Sequence, residues 1–169
     1  MLLSAALFGA SFPPRRLHAL AWIALVPFFL ALRGASGGAR AGLGALFGVA
    51  AAWSVGDWMP RAIEHYYLQP LWVGFAFFLG IALAMASPYF AVFAFAYGRL
   101  GRVPGGGALA WQPLLVAAAW VACELARGRL WNGSPFWIGN PWALAGYSQA
   151  GVAPAMQVAA LTGVYGVSF

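Results

Sequence analysis

The sequence has no lysine, only three acidic residues and a single cysteine. Charged residues make up 7% of the 169 residues, against about 25% in an average soluble domain. A chain with so little charge cannot cover a water-soluble globule with polar surface, which excludes the soluble classes of enzyme and regulatory protein. The single Cys123 excludes an intrachain disulfide and a zinc site built on cysteines.

Hydrophobic residues make up 63% of the sequence, against roughly 45–50% in soluble domains. Because this excess must face lipid, the composition predicts an integral membrane protein. The net charge of +6 comes from nine arginines, but nucleic acid binding requires clustered charges on a polar surface. Here the arginines stand singly or in pairs at the ends of apolar segments, as membrane anchors do. We therefore expect membrane lipids, and no nucleic acid, as partners.

The apolar runs predict an all-α fold, a polytopic transmembrane helix bundle with five membrane segments and the start of a sixth. The predicted segments are residues 1–10, 17–32, 41–58, 71–97, 109–126 and 154–169. The first segment lacks the charged start and the cleavage site of a signal peptide, the alternative interpretation. The last is shorter than the about 20 residues that a spanning helix needs, so the chain is expected to end within an element. Residues 1–169 would form one transmembrane domain, expected to be a monomer.

Proline and glycine positions predict how these segments bend and pack. Residues 71–97 would form a helix of about 40 Å, longer than a hydrocarbon core of ~30 Å, so a kink at Pro88 is expected. Small residues four positions apart are predicted to let neighbouring helices approach closely. These are the pairs Gly38 with Gly42 and Gly44 with Gly48.

The polar stretch between the third and fourth segments predicts a short helix lying along the membrane surface. If Pro60 starts this helix, Arg61, Glu64 and His65 share one face. The alternative is a metal site built from Asp57, Glu64 and His65. A single histidine without a second pair of ligands at metal-binding spacing does not favour it. We therefore expect no metal and no cofactor.

The stretch from Glu124 to Gln149 joins two apolar segments and is rich in glycine, proline and aromatic residues. It carries no charge after Arg129, and its rings suit the boundary between lipid and water. Residues 131–153 are therefore predicted to form an aromatic loop at the outer membrane surface. The residues expected at a lipid-access mouth in this loop are Trp131, Trp137, Pro141, Trp142, Gly146, Tyr147 and Gln149.

Glu124 and Arg127 are three residues apart and share a helix face. Two interpretations stay open for them. They form a local ion pair that lowers the cost of charge near the membrane, or they support the loop by bonding its backbone. In neither does Glu124 act as a catalytic base. Cys123 lies in an apolar helix without a neighbouring histidine, surroundings that do not activate a thiol, and is expected to be inert.

Motifs at both ends of the chain resemble the membrane region of apolipoprotein N-acyltransferase. That family typically reads G-F-P-W, then G-Y-x-Q, and later G-x-x-G-x-x-F, and this chain has Asn140 where phenylalanine is usual. The link at residues 131–138 is also several residues longer than in the family. The motifs that carry the resemblance are Phe12-Pro13-Pro14, Leu20–Pro27, Glu124 with Arg127-Gly128, Gly139–Trp142, Gly146–Gln149, Pro154 and Gly163–Phe169.

The resemblance implies a multi-pass enzyme of the bacterial inner membrane, with its aromatic loop facing the periplasm or the cell exterior. Arginine counts on the two sides are nearly equal and do not decide this orientation. The family transfers an acyl chain from a phospholipid to the N-terminal cysteine amine of diacylated lipoproteins. A Glu-Lys-Cys triad in a nitrilase-like domain carries the chemistry through a thioester.

Because this chain has no lysine, we assign it no catalytic residue and expect the catalytic domain to be absent from it. The chain alone would then be inactive and would supply membrane anchoring and lipid access. The alternative is a small transporter or channel-like bundle with the loop as a re-entrant segment. The sequence shows no internal repeat and no matching pair of interrupted helices to favour transport.

Overall fold

The computed structural model describes residues 1–13, 17–100, 110–129 and 141–169. Helical residues account for 81% of these, and none of them forms a β-strand, which confirms the all-α prediction. Short 3₁₀ helices lie at His18–Leu20 and Ala145–Gln149. The α-helices in chain order are α1 (Leu2–Ser11), α2 (Ala21–Ala24), α3 (Val26–Leu32), α4 (Gly37–Gly56), α5 (Met59–Tyr67), α6 (Leu71–Met85), α7 (Ser87–Tyr97), α8 (Gln112–Arg129) and α9 (Ala153–Ser168).

Two helical stretches of the described residues are long and apolar enough to cross a bilayer, α4 and the run from α6 through α7. The others fall short for separate reasons. Helix α1 has 10 residues, or about 15 Å, and α8 carries two arginines in its last turn. The prediction of five membrane segments and part of a sixth stays a prediction.

Proline interrupts two of the predicted segments. The predicted kink in residues 71–97 is confirmed, because α6 ends at Met85 and α7 begins at Ser87 with Pro88 in its first turn. The segment 17–32, expected to be continuous, is divided at Leu25 between α2 and α3. Pro27 has no backbone N–H to donate to the preceding turn, so the helix cannot run through unbroken.

The last helix is bent as well. Inside α9, Gly163 has φ 69° and ψ −178°, a conformation that residues with a Cβ rarely adopt. The predicted segment 154–169 is therefore helical from Ala153, but its regular hydrogen bonding is broken at Gly163. This bend aims the last turn, which carries Ser168, toward the segment that precedes the helix.

Close packing of α4 against α7 confirms one of the two predicted glycine pairs. A methyl group on Gly44 would overlap the carbonyl oxygen of Phe90, and one on Gly48 would lie 3.1 Å from the carbonyl of Ala86. Among the described residues the prediction for Gly38 and Gly42 is wrong, because a Cβ at either position would meet no other described residue within 4 Å. Only the pair on the face toward α7 permits close approach of two backbones.

Aromatic side chains fill the centre of the bundle. The rings of Phe28 and Phe47 stack with their centroids 4.3 Å apart, and both side chains are fully buried. Trp120 meets Phe93 edge-on at 5.4 Å and Phe90 at 5.3 Å. These rings come from α3, α4, α7 and α8, so one cluster holds four helices together through dispersion contacts.

The bundle's outer surface is apolar. Leu161 is 90% exposed, Trp22 81% and Trp72 70%, more large apolar surface than a water-soluble protein leaves uncovered. Helix α5, which begins at Met59, instead has a polar face, on which Arg61, Glu64 and His65 are exposed. The predicted short helix with an exposed polar face is thus confirmed.

Candidate functional site

A buried pair of charged side chains lies at the end of α8. Glu124 is 0% exposed and Arg127 is 4% exposed. A helix places residues three apart on one face, and in α8 this face turns toward the segment 141–149. Buried charged groups are stable only when hydrogen bonds replace the lost water, so their partners define what the site holds in place.

Glu124 joins α8 to the start of the second 3₁₀ helix. Its Oε1 accepts hydrogen bonds from the Trp120 indole Nε1–H at 3.0 Å and from the Ala145 backbone N–H at 2.6 Å. Its other oxygen, Oε2, has no hydrogen-bond partner in the described part of the chain. Trp120 itself belongs to the aromatic core, so the carboxyl group connects that core to the loop.

Arg127 bonds the same segment two residues earlier. Its Nη2 donates to the Ala143 carbonyl at 3.3 Å, and its guanidinium lies 5.8 Å from the centroid of the Phe90 ring. Both charged side chains therefore contact the loop backbone. This is the geometry that the second sequence interpretation describes, in which the pair supports the loop.

A second set of hydrogen bonds ties the 3₁₀ helix to the two ends of the chain. The Gly146 N–H donates to Ser168 Oγ of α9 at 2.8 Å, and Gln149 Nε2 donates to the His18 carbonyl at 3.0 Å. Ser148 Oγ donates to the Ala145 carbonyl at 2.6 Å. Together with α8, which bonds Ala145 through Glu124, three separated segments contact the five residues Ala145–Gln149.

Gly146 is placed where a side chain would not fit. A Cβ there would lie 2.5 Å from the Val164 carbonyl oxygen and 3.2 Å from Ser168 Oγ. The loop and α9 therefore touch backbone to backbone. This close approach explains why the first position of the Gly146–Gln149 motif is a glycine.

Trp142 and Tyr147, both expected at the lipid-access mouth, differ in their surroundings. Trp142 is half-buried; its ring would contact any Cβ on Gly56 and meets Trp58 edge-on at 6.4 Å. Tyr147 is 43% exposed. Pro141 is exposed, whereas Trp131 and Trp137 lie outside the residues that the structure describes.

An apolar groove of about 850 Å³ lies between α2–α3 and α8. Its lining includes Ser148, Gln149 and Ser168, and Gln149 bonds His18, just before α2. Arg33 and Arg40, which also line it, lie at the other end of α2–α3, after Leu32 and in the first turn of α4. The volume is within the roughly 300–1,000 Å³ of small-molecule sites. Of the residues predicted at the mouth and described by the structure, Gln149 lines this groove, and Gly146 lies beside it.

Sequence reasoning missed the groove, Ser168 and the contact of Trp120 with Glu124. The contact of Trp120 with Glu124 could have been predicted from the sequence, because residues four apart on a helix are neighbours on its surface. Cys123 is buried in the core cluster and free, as expected of a thiol with a packing role.

Comparison with known proteins identifies the family to which this chain is similar. The family model described as the apolipoprotein N-acyltransferase N-terminal domain matches residues 4–169. Apolipoprotein N-acyltransferase of Geobacter metallireducens is 34% identical over 168 residues, which cover 99% of this chain and 30% of the relative. The protein of the same name from Verminephrobacter eiseniae is 33% identical over 125 residues, 74% of this chain and 21% of the relative.

A third relative, the apolipoprotein N-acyltransferase of Methylococcus capsulatus, is 38% identical over 87 residues, which cover 51% of this chain and 16% of the relative. The chain thus spans less than a third of the length of the relatives it matches. The match over residues 4–169 confirms the resemblance carried by the motifs at both ends. This chain belongs to the apolipoprotein N-acyltransferase family, as an N-terminal domain.

Proposed function

We propose that this chain is the membrane domain of an apolipoprotein N-acyltransferase and that it brings a phospholipid acyl chain to a catalytic domain outside it. One observation carries the proposal, the apolar groove of about 850 Å³ that ends at Ser148, Gln149 and Ser168. An apolar groove with polar groups at one end suits an amphipathic molecule, which has an apolar tail and a polar head group.

The groove's polar end is held rigidly. Glu124 and Arg127 bond the backbone at Ala145 and Ala143, and Gln149 bonds the first 3₁₀ helix. A fixed entrance holds a substrate in reacting geometry more often than a loose one, which is how remote residues raise a rate. Glu124 and Arg127 are therefore positioning residues in this proposal.

The loop residues at the entrance have different proposed roles. Tyr147 is exposed and suits the boundary between lipid and water, while Trp142 anchors the loop on α4. Pro141 and Gly146 shape the turn, and we assign Trp131 and Trp137, which lie outside the described residues, to the same aromatic mouth. In the proposed orientation, the loop lies at the outer face of the bacterial inner membrane.

The chemistry belongs to the domain outside this chain. In the proposed reaction a cysteine thiolate attacks a phospholipid ester, forming an acyl thioester and releasing a lysophospholipid. The N-terminal amine of a diacylated lipoprotein then attacks the thioester, which forms an amide and frees the thiol. With no lysine in its sequence, the isolated chain has no oxyanion-stabilising lysine and is expected to transfer no acyl groups.

The full-length protein provides the test. It should restore N-acylation of lipoproteins, read by mass spectrometry of their N-terminal peptides, in cells depleted of their own N-acyltransferase.

Ala21→Phe, which fills the groove, should lower kcat/KM for the phospholipid about tenfold, equivalent to ~1.4 kcal/mol. Ala19→Phe is the matched control, since Ala19 is exposed and is not part of the groove lining. Absence of acylation by the full-length protein would overturn the proposal and favour a transporter-like bundle.

A further inference from the structure

The groove's second end carries positive charge that acyl transfer at the first end does not use. Arg33 and Arg40 line it, together with Gln112. The Arg33 side chain has no hydrogen bond or ion pair among the residues that the structure describes. Arg40 is partly engaged, because its Nε donates to the Leu32 carbonyl at 3.0 Å.

Two of the three acidic residues of the sequence, Asp57 and Glu124, lie far from this end. Arg40 is in the first turn of α4 and Asp57 follows its last residue, and the 17 positions that separate them correspond to about 25 Å of helix. Gln112 begins α8 at the Arg33 end, and Glu124 lies 12 residues further along the same helix, or about 18 Å. Two guanidinium groups thus stand at the mouth of an apolar groove without a nearby carboxylate from these helices.

We infer that this end of the groove binds an anionic phospholipid, with its phosphate at Arg33 and Arg40 and an acyl chain along α2–α3 and α8. The guanidinium fork matches phosphate oxygens in geometry and charge. Basic pockets between transmembrane helices are known to select anionic head groups. A net negative head group balances the two cations, whereas the ammonium group of a zwitterionic lipid would be repelled by them.

The apolar wall supplies the second half of the site. In α8, Pro113, Val116, Ala117 and Trp120 all line the groove, at the three-and-four spacing that puts residues on one helix face. Ala118 is exposed on another face. An acyl chain in the groove would contact this row and the facing side chains of α2–α3. The head-group site involves Arg33 and Arg40 and not Gln149, but its acyl chain would lie along the same apolar wall as the proposed acyl donor, so the inference rests on the groove of the proposed function.

The test measures lipid binding by the full-length protein. Purified protein is exchanged into nanodiscs of phosphatidylglycerol and phosphatidylethanolamine in equal parts, and the co-purifying lipid is measured by native mass spectrometry. Wild type should retain phosphatidylglycerol. Arg33→Gln should weaken its apparent affinity about fivefold, and Arg33→Gln with Arg40→Gln about thirtyfold. Arg33→Lys should keep most of the binding, because it keeps the charge.

Two controls separate this site from general charge and from misfolding. Arg61→Gln with Arg129→Gln removes the same charge from two exposed positions outside the groove and should leave retention unchanged. Ala117→Phe should displace the lipid, whereas Ala118→Phe should not.

Equal retention of both lipids by wild type, or equal losses in the two arginine double variants, would overturn the inference. Unchanged retention in a folded Ala117→Phe variant would also overturn it, since another part of the protein would then occupy the groove. These readouts are independent of acyl transfer, so a protein inactive in the acylation assay can still pass or fail them.

Discussion

Glu124 Oε1 accepts a hydrogen bond from the Ala145 backbone N–H at 2.6 Å, across 21 residues of sequence. The same oxygen accepts from Trp120 at 3.0 Å, one turn earlier in α8. A single buried atom therefore links the aromatic core of the bundle to the 3₁₀ helix at the end of the groove. Loss of the carboxyl group would leave two donors in the interior without an acceptor, which costs more than the bonds themselves contribute.

Replacing Glu124 should destabilise the protein strongly. Glu124→Ala removes both bonds and should lower the free energy of unfolding in detergent by about 3–5 kcal/mol, the cost of breaking a buried polar cluster. Glu124→Gln keeps an acceptor oxygen and should lose less than half as much. Unfolding is followed by circular dichroism and tryptophan fluorescence. Equal losses in the two variants would contradict this account of the hydrogen bonds.

Two glycines of α4 offer a matched test of helix packing. Gly44→Ala would push a methyl group into the Phe90 carbonyl oxygen, and such overpacking typically costs about 1–3 kcal/mol. The new methyl group of Gly42→Ala meets none of the other described residues within 4 Å, and the change replaces a poor helix former by a good one, so it should be neutral or stabilising. Thermal unfolding in one detergent compares the two directly. A loss at Gly42 as large as that at Gly44 would show that α4 does not pack on α7 through this face.

The side of the membrane on which the loop lies can be read by labelling. Tyr147→Cys in a protein without other reactive cysteines should react with a membrane-impermeant maleimide in intact cells, because Tyr147 is 43% exposed and the loop is proposed to face outward. Ser36→Cys, at an exposed position before α4, should react only after the cells are opened. The reverse pattern would invert the proposed topology.

Local sequence was enough to predict the helices but not how they meet. Apolar runs gave the all-α class, and Pro88 marked the break after Met85 because its effect acts within one turn. Gly44 and Gly42 have the same spacing to a second glycine, so sequence could not separate them. Which face of α4 meets α7 depends on the tertiary arrangement. Only that arrangement shows that Gly44, and not Gly42, lies where α4 packs closely against α7.

The candidate site shows the same limit. Trp120 and Glu124 are one helical turn apart, so their contact was within reach of a spacing argument. The bond from Ala145 to Glu124 and the bond from Gly146 to Ser168 close loops of about twenty residues, and spacing carries no information over that distance. The groove is lined by six α-helices and the second 3₁₀ helix, and it could not be predicted from any one of them.

Gln149 provides a test of whether the end of the groove must be fixed for substrate use. Gln149→Ala removes the bond from Nε2 to the His18 carbonyl and should release the 3₁₀ helix from the N-terminal part of the bundle. A neutral hydrogen bond contributes about 1 kcal/mol, so kcat/KM for the phospholipid should fall about fivefold in the full-length enzyme. Most of the change should appear in KM, because the residue positions the entrance and does not touch the reacting atoms. Gln69→Ala removes a comparable amide bonded to the Tyr67 carbonyl at an exposed site and should leave both constants unchanged. A fall of kcat with KM constant would instead place Gln149 in the chemical step and contradict a positioning role.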